Sequence, residues 1–125
     1  MHGSSSVPQD LQDIINRHGG EMQPTWGVPV AEIQRGIKHG VRKINIDTDN
    51  RMAITGQIRR VLEEQPHEFD PRKYLKPAME AMQALCRQRL EEFNTAGQAG
   101  KIKRVIPLAE MAERYQDGTL APDVG

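Results

Sequence analysis

The sequence predicts an α/β chain that is mostly helical, and three observations carry that reading. Apolar residues recur at spacings of three and four in several segments, the pattern of helices that bury one stripe. A single run, Val41-Arg42-Lys43-Ile44-Asn45-Ile46, is rich in β-branched residues and flanked by Gly40 and Asp47, as a buried strand is. Helix, glycine turn and strand in that order make the αβ half of a βαβ unit whose preceding strand is cut off.

The elements follow from local signals. Ser6-Val7-Pro8-Gln9 reads as a helix start, with the Ser6 hydroxyl serving an early N–H and Pro8 preorganising the first turn. A helix from about 8 to 18 carries Leu11, Ile14 and Ile15 on one side, and Gly19-Gly20 ends it. Residues 21 to 28, with Pro24, Trp26 and Gly27, form a loop, and Pro29 opens a helix with the stripe Val30, Ile33 and Ile37 that Gly40 closes. After the strand, Asp49 or Asn50 caps a helix carrying Ile54, Ile58, Val61 and Leu62, and Pro66 stops it.

Asp70-Pro71 starts the longest helix, which runs to Phe93 through Leu75, Ala78, Met79, Met82, Leu85, Cys86 and Leu90. Pro77 inside its first turns predicts a bend or a later start. The glycine-rich stretch 96 to 100 and the basic Lys101-Ile102-Lys103-Arg104 come next, then a short helix near 108 to 115 and a loose end. Trp26 is expected to pack on a helix, the Met79/Met82 pair to fill core, and Cys86 to be a buried structural thiol.

Seventeen basic and 17 acidic residues cancel without a block of one sign, which argues against nucleic-acid and anionic-membrane partners. One cysteine rules out an intramolecular disulfide and a Cys-rich zinc ribbon. No apolar run approaches the roughly 20 residues of a membrane span, and the start lacks a secretory pattern, so the cytoplasm is expected.

Two turns carry chemistry. In the first, His2 at a strand end offers a neutral imidazole to a metal, and Gly3, Ser4 and Ser5 turn N–H groups and hydroxyls toward an anion. Read alone, Met1 to Ser6 is also the composition of a tag remnant or flexible linker. The second turn is Asn45-Ile46-Asp47-Thr48-Asp49, whose acids also suit ordinary helix capping, a use weighed more for Asp49 than for Asp47. Arg72 also reads as a solvated charge, and His18, His39 and His67 sit near helix ends and are assigned no metal.

Taken together, His2-Gly3-Ser4-Ser5-Ser6-Val7-Pro8, Thr25-Trp26-Gly27-Val28-Pro29, Lys43-Ile44-Asn45-Ile46-Asp47-Thr48-Asp49, Asp70-Pro71-Arg72 and Ala96-Gly97-Gln98-Ala99 resemble class II fructose-bisphosphate aldolases, especially the Calvin-cycle branch. The resemblance implies the C-terminal portion of a (β/α)₈ barrel, which needs about 250 residues. It implies the end of strand seven, helix seven, strand eight, helix eight and terminal helices, with residues 1–93 in the barrel part and 94–125 an extension.

The same resemblance implies a chemistry and the residues that serve it. The implied activity is that of an aldehyde-lyase of glycolysis, gluconeogenesis and the Calvin cycle, splitting fructose 1,6-bisphosphate into dihydroxyacetone phosphate and glyceraldehyde 3-phosphate. The implied cofactor is Zn²⁺ held by three histidines, of which His2 is the one present. By the same likeness Gly3, Ser4, Ser5, Asn45, Ile46, Asp47 and Thr48 bind dihydroxyacetone phosphate, Asn45 at its oxygens and the Asp47-Thr48 turn at its phosphate. Arg72 would reach a neighbouring subunit's second phosphate, so a homo-oligomer of at least two chains is expected.

No catalytic residue is assigned in this chain, because the family's aspartate acid and remaining ligands belong to sequence before residue 1. The isolated chain is expected to be catalytically silent, with helices persisting while the sheet does not. Two other functions stand open. One is tagatose-bisphosphate aldolase; the other is a non-enzymatic helical module using Arg72 and the Lys101 to Arg104 cluster on acidic partners.

Overall fold

Five α-helices and one 3₁₀ turn make up the regular structure of residues 1–101 and 106–119, the part described in the computed structural model. Helix α1 spans Gln9–Arg17, α2 Val30–Lys38, α3 Thr48–Glu64, α4 Pro71–Glu92 and α5 Leu108–Gln116. Helix α3 is the centre, packing on α1 along one side and on α4 along another.

Local chemistry sets the ends. Gly19 has φ +76°, and the Gly20 N–H reaches the Ile15 carbonyl at 2.8 Å, so α1 ends in a left-handed turn that satisfies one of its last carbonyls. Gly40, at φ +100°, ends α2 in the same way and turns the chain into residues 41–46. Asp70 caps α4, its Oδ1 accepting the Arg72 N–H at 3.0 Å, with Pro71 in the first turn where a missing N–H costs nothing. Pro77 does not delay that start, since α4 is helical from Pro71 onward.

Ile33 of α2 and Ile15 of α1 are buried as the spacing predicts, each worth about 1.5–3 kcal/mol of transfer free energy. Close packing of α1 on α3 depends on Gly56. A β-carbon there would lie 3.0 Å from Ile14 Cγ2, so the helices approach at that point without a side chain between them.

Several sequence expectations are corrected. The buried face of α3 is Asp49, Met52, Ala53, Gly56 and Val61; Ile54 and Ile58 are only half-buried and Leu62 is 42 % exposed. A helix wedged between two others buries a wider arc than one apolar stripe, and its small residues take the closest contacts. On α4, Ala78, Leu85 and Arg89 are buried, whereas Leu75, Met79 and Leu90 face outward. Met79 is therefore not core filler, and Trp26, 75 % exposed, is not packed on a helix.

The run 41–46 is not a strand, and among the described residues there is no strand at all. Its backbone shows why. The Met1 amino group donates to the Lys43 carbonyl at 2.6 Å and the Asn45 N–H to the Met1 carbonyl at 3.2 Å, which sets Met1 opposite Ile44 in the pattern of a parallel pair. One opposed residue makes no ladder. Among the described residues, the N–H groups of Arg42, Ile44 and Ile46 meet no backbone acceptor. Ile44 and Ile46 line a cavity of about 670 Å³ with Cys86, Leu90 and Phe93.

Candidate functional site

The two turns singled out from the sequence, 43 residues apart in the chain, are laid against each other by serine hydroxyls. Ser4 is fully buried; its Oγ donates to the Asn45 carbonyl at 2.7 Å and accepts the Asn45 N–H at 3.0 Å. Ser5 Oγ accepts the N–H groups of Asp47 and Thr48, both at 3.1 Å. Those N–H groups open α3, where unpartnered donors and the helix dipole favour negative charge. His2 Nδ1 lies 3.0 Å from the Asn45 carboxamide nitrogen, and the Lys43 ammonium donates to the Asn45 side-chain oxygen.

His2, Gly3, Ser4, Ser5, Asn45, Ile46, Asp47 and Thr48 thus share one rim. His2, Gly3 and Asp47 are exposed, and Ser5, Asn45, Ile46 and Thr48 half-buried. Asp47 pairs with Arg51 one turn along α3, Oδ1 accepting from Nε at 3.0 Å. Arg72 is not at this rim through any hydrogen bond. It is exposed and forks onto Asp70, Nε at 2.9 Å and Nη2 at 2.6 Å from Oδ2. That fork holds the Asp70 carboxyl below its ordinary value and raises the Arg72 guanidinium.

Beneath the rim lies a group whose sequence context suggests capping. Asp49 is fully buried and caps nothing; Ser6 is likewise not a helix cap. Asp49 Oδ1 accepts the Val7 N–H at 2.9 Å, and Oδ2 accepts the Ser6 N–H at 3.2 Å and the Ser6 hydroxyl at 2.7 Å. From α4, Arg89 donates to the same Oδ2 through Nε at 3.2 Å and Nη2 at 3.1 Å, and through Nη2 to Ser6 Oγ at 2.7 Å. Its Nη1 donates to Glu92 at 2.6 Å. Local sequence does not display this network. The available signal was Arg89 itself, a cation four residues beyond Leu85 on the inward side of α4.

Burial pushes the Asp49 carboxyl up, but the Ser6 hydroxyl, the Val7 and Ser6 N–H groups and Arg89 together outweigh it, and the net shift is downward. The folded protein therefore releases this proton more readily than the unfolded chain. Its contribution to stability is complete above the ordinary carboxylate range and is lost as pH falls through the depressed value, below about pH 4. Thermal melts from about pH 7 to about pH 3 are expected to show this loss, and Asp49→Asn to flatten the acid limb; an unchanged limb contradicts the assignment.

His18 Nδ1 sits 2.5 Å from Glu63 Oε2, tying α1 to α3, and Cys86 is half-buried with Sγ 3.7 Å from Asn50 Oδ1. Among the described residues no three His, Cys, Asp or Glu side chains converge as a metal site does. His2 fits as a single donor, and the described residues do not complete a zinc site around it. Of the basic cluster, only Lys101 is among the described residues; Ile102, Lys103 and Arg104 lie outside them. No helix of the described residues is long and apolar enough to cross a membrane.

Comparison with known proteins agrees with these motifs. The sequence model described as "Fructose-bisphosphate aldolase class-II" matches residues 1–98. Over 122 residues the chain is 70 % identical to "Fructose-bisphosphate aldolase 2" of Cereibacter sphaeroides and 62 % identical to "Fructose-bisphosphate aldolase" of Sinorhizobium medicae, covering 98 % of this chain and 34 % of each relative. The chain spans about a third of the length of these curated relatives. "Fructose-bisphosphate aldolase 2" of Rhodobacter capsulatus is 66 % identical over 112 residues, 90 % of this chain and 97 % of that sequence. With most of its length matched and both turns in place, the chain belongs to the class-II fructose-bisphosphate aldolase family.

Proposed function

We propose that this chain is the phosphate-binding portion of a fructose-1,6-bisphosphate aldolase, and that Gly3, Ser4, Ser5, Asp47 and Thr48 cradle the phosphate of dihydroxyacetone phosphate. The observation that carries this is the Ser5 hydroxyl held on the Asp47 and Thr48 N–H groups at the start of α3. It already presents an oxygen to the donors an anion needs. A phosphate oxygen takes that place, and the freed hydroxyl donates to it. Ser4 acts through its backbone, because its hydroxyl is engaged by Asn45.

Asn45, with Ile46 beside it, faces the triose oxygens, and His2 is one ligand of Zn²⁺, with the other ligands outside this chain. Zinc, when bound, supplies positive charge at the substrate carbonyl. Residues 1–93 belong to the closing part of a (β/α)₈ barrel, in which 41–46 becomes strand eight once the rest of the barrel stands beside it; the Met1, Lys43 and Asn45 hydrogen bonds support this by setting Met1 where strand seven would end. Residues 94–125 extend beyond it. Arg72, released from Asp70, binds the second phosphate in a neighbouring subunit of a cytoplasmic oligomer.

Dihydroxyacetone phosphate at about 100 times its Kd is expected to stabilise the chain by about 2.7 kcal/mol. Dihydroxyacetone without phosphate is expected to do nothing, and equal melting curves with and without the ester refute the cradle. Joined to the part of the Cereibacter sphaeroides relative it does not span, the chain is expected to cleave the bisphosphate. His2→Ala in that chimera is expected to lower kcat/KM at least about 100-fold.

A further inference from the structure

We propose that Arg89 is the positioning residue of the phosphate turn, holding through Asp49 and Ser6 the clamped backbone at Ser6 and Val7 that fixes the turn carrying Ser4 and Ser5 to the start of α3. This deepens the phosphate-cradle reading and rests on it. The first observation is backbone geometry. Val7 has φ +51°, in the left-handed region, although it is β-branched and precedes a proline. A residue of that type is held there at a cost of about 1–3 kcal/mol, and such strain persists only where its surroundings impose it.

The surroundings are visible. The two oxygens of one carboxylate take successive N–H groups of the turn, Oδ1 from Val7 at 2.9 Å and Oδ2 from Ser6 at 3.2 Å. Both must point the same way, which fixes the backbone at Ser6 between them, and the strained φ at Val7 turns the chain from that clamp into Pro8 and α1. Asp49 is 0 % and Arg89 7 % exposed. Arg89 keeps the carboxylate oriented by two donors on Oδ2 and clasps Ser6 Oγ with the same Nη2. Glu92 occupies its remaining terminal nitrogen, leaving one arrangement of the guanidinium.

Burying such a pair is a poor way to gain stability, since apolar residues of similar volume often do as well. It is a good way to set one geometry. The turn so set carries Ser4 and Ser5, whose hydroxyls meet Asn45, Asp47 and Thr48. Arg89 itself stays behind the turn and touches no proposed ligand atom.

The test is titration of the whole 125-residue chain with inorganic phosphate, read at the Ser5, Asp47 and Thr48 amides by ¹⁵N NMR, with helix content followed by far-ultraviolet circular dichroism. Wild type is expected to show saturable shifts. Arg89→Met is expected to keep its helix signal and lose phosphate affinity about tenfold or more, and Arg89→Lys to recover part of it. Ser6→Ala, which keeps the ion pair, is expected to weaken binding several-fold, and it decides the matter alone if Arg89→Met does not fold. Unchanged phosphate affinity in folded Arg89→Met and in Ser6→Ala overturns the role of Arg89 while leaving the cradle intact. Wild-type amides that ignore phosphate overturn the cradle, and the role of Arg89 with it.

Discussion

Asp49→Ala is expected to lower the stability of this chain by about 3–5 kcal/mol, the range for removing one partner of a buried ion pair. The variant takes the acceptor from four groups at once: the Nε and Nη2 side of the Arg89 guanidinium, the Val7 N–H, the Ser6 N–H and the Ser6 hydroxyl. Loss of the buried counter-charge, which leaves Arg89 with Glu92 alone, accounts for most of the cost. Small domains have about 5–15 kcal/mol in total, so a large unfolded fraction is expected at room temperature. Urea denaturation followed by circular dichroism measures it. The double variant Asp49→Ala/Arg89→Met is expected to recover part of the loss, because the stranded charge is then gone. A cost below about 1 kcal/mol, the value of an exposed pair, means that Asp49 and Arg89 do not meet as described.

Gly27→Ala is expected to be nearly as damaging, for a steric reason. A β-carbon at Gly27 lies 2.1 Å from the Ser5 carbonyl oxygen and 2.7 Å from the Ser6 carbonyl carbon, both backbone atoms that cannot swing aside. Either the loop at 25–29 or the turn at 4–6 must move, and the Val28 N–H loses its 3.1 Å bond to Ser5. Overpacking of this kind costs about 1–3 kcal/mol. The displaced turn should also lose its phosphate response. Gly3→Ala is the control: nothing lies within 4 Å of its β-carbon, so only the strain of φ +60° is added, about 1 kcal/mol. Thermal melts that rank Gly3→Ala as the worse variant contradict this account.

The family was legible because its two motifs are contiguous. His2 to Pro8 and Lys43 to Asp49 each present their residue types without interruption, and the structure sets one motif on the other through Ser4 and Ser5. The helices were legible for a similar reason, since Gly19, Gly40, Pro29 and Asp70 mark their ends within a few residues of the bonds they satisfy. The strand was not, because a strand is completed by what lies beside it. Among the described residues, only Met1 pairs with 41–46 as a neighbouring strand would.

Sequence alone determined where this chain turns helical, where the helices stop, and which two turns carry the family's motifs, because capping, spacing and motif residues act over a few neighbouring residues. Tertiary structure alone decided which of those residues hold the turns in shape. Asp49 reads as a cap and Arg89 has no evident partner until helices α3 and α4 pack, bringing Arg89 to a carboxylate 40 residues away and to a hydroxyl 83 residues away. Which partner a buried charge finds depends on how helices cross, and no local pattern of residues encodes that crossing.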